Sequence, residues 1–216
     1  MDFFNINTTI FTVIGYPMSY LEFFGTILNL LSVYLVARNN IWSWPVGNIA
    51  VVLFAVLFFQ IRLYSDFMEQ IYFFITGFYG WWIWLKLKKK DARKEDDAGV
   101  SGSSGRSLFI YTAGIFIGTI VLGYLMSHIH EWLPRLFSEP ASFAYLDAFT
   151  TILSFAATIL MAHKKFECWY LWILVDIIGI GLYFAKDVVF ISLLYAVFLV
   201  LASRGLLGWK KAMKYA

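Results

Sequence analysis

The chain has 216 residues, of which 61% are hydrophobic, 20% aromatic and only 14% charged, and its mean hydropathy is +0.71. A soluble domain cannot bury so much apolar surface, so the composition excludes a water-soluble globular protein and places the chain in a lipid bilayer. The single cysteine, Cys168, excludes an internal disulfide, and a formal charge of +3 gives no reason to expect nucleic acid as a partner.

Seven apolar segments are long enough to cross a hydrocarbon core of about 30 Å. Residues 1–17 precede them without a signal-peptide pattern and are expected to form an arm or an interfacial helix. Residues 88–106 form a Lys-, Gly- and Ser-rich polar linker that is expected to be mobile and solvated, and residues 210–216 form a basic tail. The sequence thus predicts an all-α integral membrane protein with transmembrane helices at 18–38, 44–61, 67–87, 107–127, 142–162, 169–186 and 188–208.

Basic residues flank these segments unevenly. If the linker is cytoplasmic, fourteen Lys and Arg residues fall on the cytoplasmic side and only Arg62, Arg135 and Lys186 fall outside. Because positive charge collects on the cytoplasmic side of membrane proteins, this distribution predicts an outside N-terminus and a cytoplasmic C-terminus.

Two parts of the chain share residue types at a spacing of 128. The second and third segments match the sixth and seventh in this way, whereas the first matches the fifth at a spacing of 125. The pattern predicts parallel repeats of three helices at 18–87 and 142–209, joined by a linking helix at 107–127. Chance similarity between apolar helices is the alternative. The pairs at 128 are Trp44 with Trp172, Asn48 with Asp176, Gly77 with Gly205, Gly80 with Gly208, Trp81 with Trp209 and Lys86 with Lys214.

Polar side chains inside membrane spans are costly unless they face a cavity or a partner. Asp176 is the strongest candidate, because it shares one helix face with Trp172, Gly179 and Tyr183. Other readings remain open: Ser and Thr stripes often serve helix contacts, and tryptophans at span ends often anchor the helix in the interface. The acids near the outer ends of the segments could likewise be solvated or cap helices instead of lining a site. These are Glu22, Asp66, Glu69 and Asp147.

Catalysis has little support in the sequence. His128, His130 and Glu131 have a generic spacing on a loop rim, and no nucleophile elbow, phosphate loop or HExxH motif is present. We therefore expect no enzyme activity, no cofactor and no metal.

Several motifs together resemble one family. WSWPVGN at 42–48, LYSDFMEQ at 63–70, YGWWIW at 79–84, ECWYLWILVD at 167–176 and GLLGW at 205–209 look like the PnuC family of bacterial vitamin transporters, in its nicotinamide riboside branch. The resemblance implies a fold similar to the SWEET transporters, with three plus one plus three helices, and a homotrimer in the bacterial inner membrane. It also implies facilitated diffusion of nicotinamide riboside, which a cytoplasmic riboside kinase would then trap by phosphorylation.

The polar and aromatic residues suit this substrate. Nicotinamide riboside has a cationic pyridinium ring, a carboxamide and a ribose, which match aromatic rings, amides and a carboxylate. Proton coupling through Asp176, a carrier of thiamine or another vitamin, and a non-transporting membrane scaffold remain alternatives. The expected binding residues are Trp44, Asn48, Gln70, Tyr72, Tyr79, Trp172, Asp176 and Tyr183.

Overall fold

The computed structural model describes residues 3–13, 15–61, 64–91, 99–135, 143–185 and 189–215. These residues confirm the predicted all-α membrane architecture, because six of the helices are long and apolar enough to span a bilayer. The exception, α3, is long enough but carries Glu69 and Gln70 and is rich in Trp and Tyr. The helices are α1 Tyr20–Ala37, α2 Ser43–Gln60, α3 Tyr64–Asp91, α4 Gly105–Trp132, α5 Ala144–Ala162, α6 Cys168–Ala185 and α7 Val189–Tyr215.

Six of the helices form a closed ring. Around the ring, α1 packs on α2, α2 on α3, α3 on α5, α5 on α6, α6 on α7, and α7 returns to α1. The remaining helix, α4, lies outside the ring against α5 and joins the triplet α1–α3 to the triplet α5–α7. The ring therefore has two contacts between triplets, α3 with α5 and α7 with α1, and an interior bounded by both triplets.

The two triplets enter from the same side of the bundle. Tyr72 stacks on Phe155, and Tyr79 lies beside His163, so the contacts advance along α3 and α5 together. These two helices are consequently parallel, as expected when one linking helix separates two triplets.

The helices of the two triplets begin and end 124 or 125 residues apart, so the spacing of 128 predicted for the later segments is wrong. α2 and α6 both begin and end 125 residues apart. Among the described residues, the non-glycine residues with positive φ are Asn39 and Lys164, which occupy the same place in the turns after α1 and α5. The error of three residues is close to one helical turn, and neighbouring turns of a helix face carry similar residues. Asn48 thus corresponds to Ile173 rather than to Asp176.

A β-hairpin precedes α1, where an interfacial helix was one of the two expectations. Strands β1 (Thr9–Val13) and β2 (Tyr16–Ser19) pair antiparallel, and Gly15 in the turn has a φ of 81°. The expected interfacial helix does not form here, because the β-branched residues at 9–13 favour a strand and Gly15 permits the tight turn. Ser19 ends the hairpin and caps α1 through a reciprocal capping box with Glu22.

The described parts of the linker contain more regular structure than the sequence predicts. Helix α3 extends to Asp91 and α4 begins at Gly105, so both ends of the 88–106 segment are helical. Val100 is only 5% exposed and packs against the helix bundle, so the expectation of a fully solvated linker is wrong at this residue, whereas the mobility of the linker stays a prediction. Residues 92–98 lie outside the described part of the chain. The predicted basic tail at 210–216 continues α7 up to Tyr215.

Candidate functional site

Four buried tryptophans close the ring interior at the end where the linker lies, which we call the linker end. Trp44 meets Trp84 edge to face at 5.7 Å between ring centroids, and Trp169 meets Trp209 in the same way at 5.5 Å. The two pairs join where Trp84 contacts Trp209 at 6.1 Å. None of the four residues is more than 7% exposed. This tryptophan cluster is matched across the triplets at the spacing of 125.

Two hydrogen bonds hold the triplets together at this cluster. Trp84 Nε1 donates to the carbonyl oxygen of Met161 at 3.3 Å, and Trp209 Nε1 donates to that of Val36 at 3.0 Å. Each bond runs from the third helix of one triplet to the first helix of the other. These bonds and the contact between Trp84 and Trp209 therefore join the two triplets at the linker end.

The glycines of α3 and α7 make room for these side chains. A Cβ at Gly80 would collide with the Trp44 ring, and a Cβ at Gly205 would collide with the Trp169 ring. One turn away, a Cβ at Gly77 would collide with the Asn48 amide. The sequence marked these glycines as parts of the repeat, and the structure shows that each leaves space for a tryptophan ring or for the Asn48 amide.

Several buried polar atoms on α2 and α6 have no hydrogen-bond partner among the described residues. They are Asn48 Nδ2 and the ring nitrogens Trp44 Nε1, Trp169 Nε1 and Trp172 Nε1. A buried donor without a partner costs about 1–3 kcal/mol. These atoms are therefore suited to contact polar groups that enter the interior of the ring.

Asp176 is the buried acid of this interior. Its residue surface is 4% exposed, and it forms no hydrogen bond or ion pair with any residue in the described ranges. Tyr195 of α7 lies within electrostatic range of it. An uncompensated carboxylate inside a membrane protein is costly, so it is typical of a position that binds a cation or a proton.

Tyr195 is a site residue that sequence reasoning missed. Its ring lies against Gly179, one turn from Asp176, and stacks on Tyr183 with ring centroids 5.4 Å apart and planes inclined by 19°. Gly179 was the available signal, because a glycine on the polar face of α6 makes room for a large side chain from a neighbouring helix. The tyrosine pair stands between Asp176 and the end of the ring opposite the linker.

That opposite end is acidic. Asp66 and Glu69 of α3 and Asp147 of α5 all lie within electrostatic range of Tyr183. The carboxylates therefore belong to the same region as the tyrosine pair, and they give the entrance opposite the linker a negative potential.

The other predicted residues have structural contacts of their own. Tyr72 donates its hydroxyl to the carbonyl oxygen of Phe155 at 3.0 Å, and the Tyr79 hydroxyl lies 3.0 Å from His163 Nε2. Both therefore stand at the contact between α3 and α5, while Gln70 is buried on α3. The described residues contain no group of three or more His, Cys, Asp or Glu placed to hold a metal ion.

A closed ring of long, mostly apolar helices with buried, unpaired polar groups is an architecture typical of membrane transporters. A family model for the nicotinamide mononucleotide transporter matches residues 19–211, and the chain belongs to that family. It is a membrane transporter and not an enzyme.

Known relatives agree with this assignment. The chain is 28% identical to the nicotinamide riboside transporter PnuC of Escherichia coli K12 over 97% of this chain and 94% of the relative. It is 26% identical to the riboflavin/roseoflavin transporter RibM of Streptomyces davaonensis over 94% and 91% of the two chains. The crystal structure of the vitamin B3 transporter PnuC superposes with a TM-score of 0.68 at 24% identity, covering 91% of this chain and 83% of that one. The chain thus belongs to a family of membrane transporters and has the PnuC fold.

Proposed function

We propose that this protein carries nicotinamide riboside across the bacterial inner membrane by facilitated diffusion. The observation that carries the proposal is Asp176, a buried carboxylate without a hydrogen bond or ion pair in the described residues. A permanently cationic pyridinium ring compensates such a charge, whereas the neutral flavin ring of riboflavin does not. The names of the E. coli relative and its homologues support the same substrate.

The remaining groups suit the other parts of the riboside. The Asn48 amide has an unused donor in its Nδ2, as a carboxamide oxygen requires. Tyr183 and Tyr195 stack in a pair that offers ring faces to a cation, and the Trp172 nitrogen is an unused donor for a ribose hydroxyl. The proposed binding residues on α2, α3, α6 and α7 are Trp44, Asn48, Gln70, Tyr72, Tyr79, Trp172, Asp176, Tyr183 and Tyr195.

Transport requires the closure at the linker end to open and the opposite end to close. Opening separates the triplets and breaks the bonds from Trp84 and Trp209 to the facing carbonyls, in an alternating-access cycle. With the linker end cytoplasmic, as the basic residues predict, the structure has its cytoplasmic side shut. Trapping by a riboside kinase and a homotrimer stay predictions.

Uptake into sealed proteoliposomes tests the proposal. We expect labelled nicotinamide riboside to equilibrate across the vesicle membrane, and unlabelled nicotinamide riboside to compete better than thiamine or riboflavin. Stronger competition by riboflavin would favour the activity named for the Streptomyces relative. Absence of any vitamin uptake would reject transport in favour of a scaffold.

An imposed pH gradient separates diffusion from proton coupling. A facilitated carrier brings the inner concentration of labelled riboside only to the outer one. With the membrane potential held at zero, accumulation above that level driven by an acidic exterior would show proton coupling and would contradict uncoupled transport.

A further inference from the structure

Residues 99–104, which we call the linker strap, are bound to the turn between α5 and α6. Ser101 pairs with Lys165 in a parallel β-bridge. The Ser101 amide donates to the Lys164 carbonyl oxygen at 3.1 Å, and the Phe166 amide donates to the Ser101 carbonyl oxygen at 3.2 Å. The backbone of the strap is therefore fixed to the turn on both sides of the bridge.

Side chains on both partners add to this attachment. Lys165 Nζ donates to Ser101 Oγ at 2.8 Å and to the Gly102 carbonyl oxygen at 3.0 Å. Glu167 Oε1 accepts from the Ser103 amide at 2.6 Å. Val100 is buried in the same core cluster as the four tryptophans, together with Cys168 at the start of α6. The strap is thus part of the closed linker end.

The turn that the strap holds also carries the partners of Trp84. Met161, just before the turn, accepts the hydrogen bond from Trp84 Nε1. Lys164, within the turn, places its Nζ 4.8 Å from the centroid of the Trp84 ring. Any separation of α3 from α5 at the linker end has to move this turn away from Trp84.

We infer that the linker strap is a latch for the linker end of the passage. While it is docked, it holds the α5–α6 turn against Trp84 and keeps the tryptophan cluster closed. When it detaches, the turn moves with α5 and the passage opens on that side. The linker between the triplets therefore takes part in the transport cycle in addition to connecting α3 to α4.

Cys168 reports on this latch. It is the single cysteine of the chain and is fully buried beside Val100. The rate at which a maleimide labels Cys168 in purified protein in nanodiscs therefore measures opening of the linker end. We expect Val100→Ser, which weakens docking from the strap, and Lys165→Ala, which removes two contacts from the turn, each to speed labelling about tenfold.

Lys211→Ala is the matched control, because Lys211 is an exposed lysine of α7 outside the strap. Its labelling rate is expected to equal that of the unmodified protein. Unfolding temperatures distinguish latch release from loss of the fold. If Val100→Ser lowers its unfolding temperature, Lys165→Ala decides the test, since it leaves the core unchanged.

Labelling of Cys168 that stays at the wild-type rate in Lys165→Ala would overturn the latch. Labelling that rises equally in Lys211→Ala would do the same. Neither readout depends on which vitamin is carried, so a failure here is separate from a failure of the nicotinamide riboside proposal.

Discussion

At the scale of residues, the chemistry rests on polar groups that the fold buries and leaves without partners. Asp176 and the donors Asn48 Nδ2 and Trp172 Nε1 are such groups among the described residues. Each costs folding free energy, and a bound cationic riboside would offset that cost. We therefore propose that selectivity for a cation depends mainly on the Asp176 carboxylate.

Replacing Asp176 by Asn tests that dependence. The change keeps the shape of the side chain and removes its charge, so we expect the apparent affinity for nicotinamide riboside to fall by about tenfold or more, equivalent to about 1.4 kcal/mol. Competition uptake assays in proteoliposomes measure it. Glu131→Gln, the same chemical change on an exposed side chain at the end of α4, is the control and should leave affinity unchanged. Equal affinity in Asp176→Asn would remove the carboxylate from the substrate site.

Tyr195 gives a second test at this scale. Tyr195→Phe keeps the ring stacked on Tyr183 and is expected to retain most of the affinity, whereas Tyr195→Leu removes the aromatic face and should weaken binding by about 1 kcal/mol. The same competition assay measures both variants. Similar losses in the two would show that the hydroxyl, and not the ring, is what the substrate requires.

The sequence predicted part of this site. An acid inside an apolar helix is conspicuous in any sequence, and for this reason Asp176 was found. Tyr195 was missed because its place beside Asp176 depends on the packing of α7 against α6, which a helical pattern within one segment does not reveal. Pairing Asn48 with Asp176 failed for the same reason, since the register between helices is set by the turns at Asn39 and Lys164.

At the scale of elements, glycines fix how closely the helices of a triplet approach. Gly80 of α3 and Gly205 of α7 receive the rings of Trp44 and Trp169, which begin α2 and α6. Gly208, which the spacing of 128 would have paired with Gly80, is different, because a Cβ added there would meet only the Ala37 carbonyl oxygen, at 3.5 Å. The spacing of 125 thus predicts that Gly80 and Gly205 respond alike to substitution, whereas the spacing of 128 predicts this of Gly80 and Gly208.

Alanine at these glycines tests the register. Gly80→Ala and Gly205→Ala each force a methyl group into a tryptophan ring, and we expect each to destabilise the protein by about 1–3 kcal/mol. Gly208→Ala should be tolerated, because its new methyl group makes only an ordinary contact. Unfolding temperatures in detergent compare the three. A Gly208→Ala protein as unstable as Gly80→Ala, with a stable Gly205→Ala, would support the spacing of 128 instead.

At the N-terminus, amino-acid composition alone did not distinguish a helix from a β-hairpin. Residues before the first span are apolar and aromatic, which suggested an interfacial helix as one possibility, but the structure pairs them as strands.

Burial raises the pKa of Tyr16 to about 12, and its hydrogen bond to Glu22 adds to the shift. The phenol consequently stays protonated at neutral pH and remains a donor to the capping box of α1.

At the scale of the whole molecule, charged residues are distributed unevenly between the two ends of the ring. The acidic end near Tyr183 lies opposite the basic linker. A negative entrance concentrates a cationic solute, and the basic residues predict that this entrance faces outside. The fold class was predictable from composition and segment count, whereas the closed linker end was not, because it depends on contacts between residues far apart in the chain.

Reporter fusions test this orientation. A fluorescent protein fused to the C-terminus is expected to fluoresce, because it folds in the cytoplasm, and alkaline phosphatase fused at the same place is expected to be inactive. Active phosphatase together with a non-fluorescent fusion would show that the C-terminus lies outside the cytoplasm, opposite to the predicted orientation. The acidic entrance would then face the cytoplasm.

A structure determined with nicotinamide riboside bound would show whether the substrate lies inside the ring of helices. We expect the pyridinium ring there, with the Asp176 carboxylate and the Asn48 amide in contact with the substrate. Substrate located on the lipid-facing surface, or held inside the ring without either side chain, would contradict it.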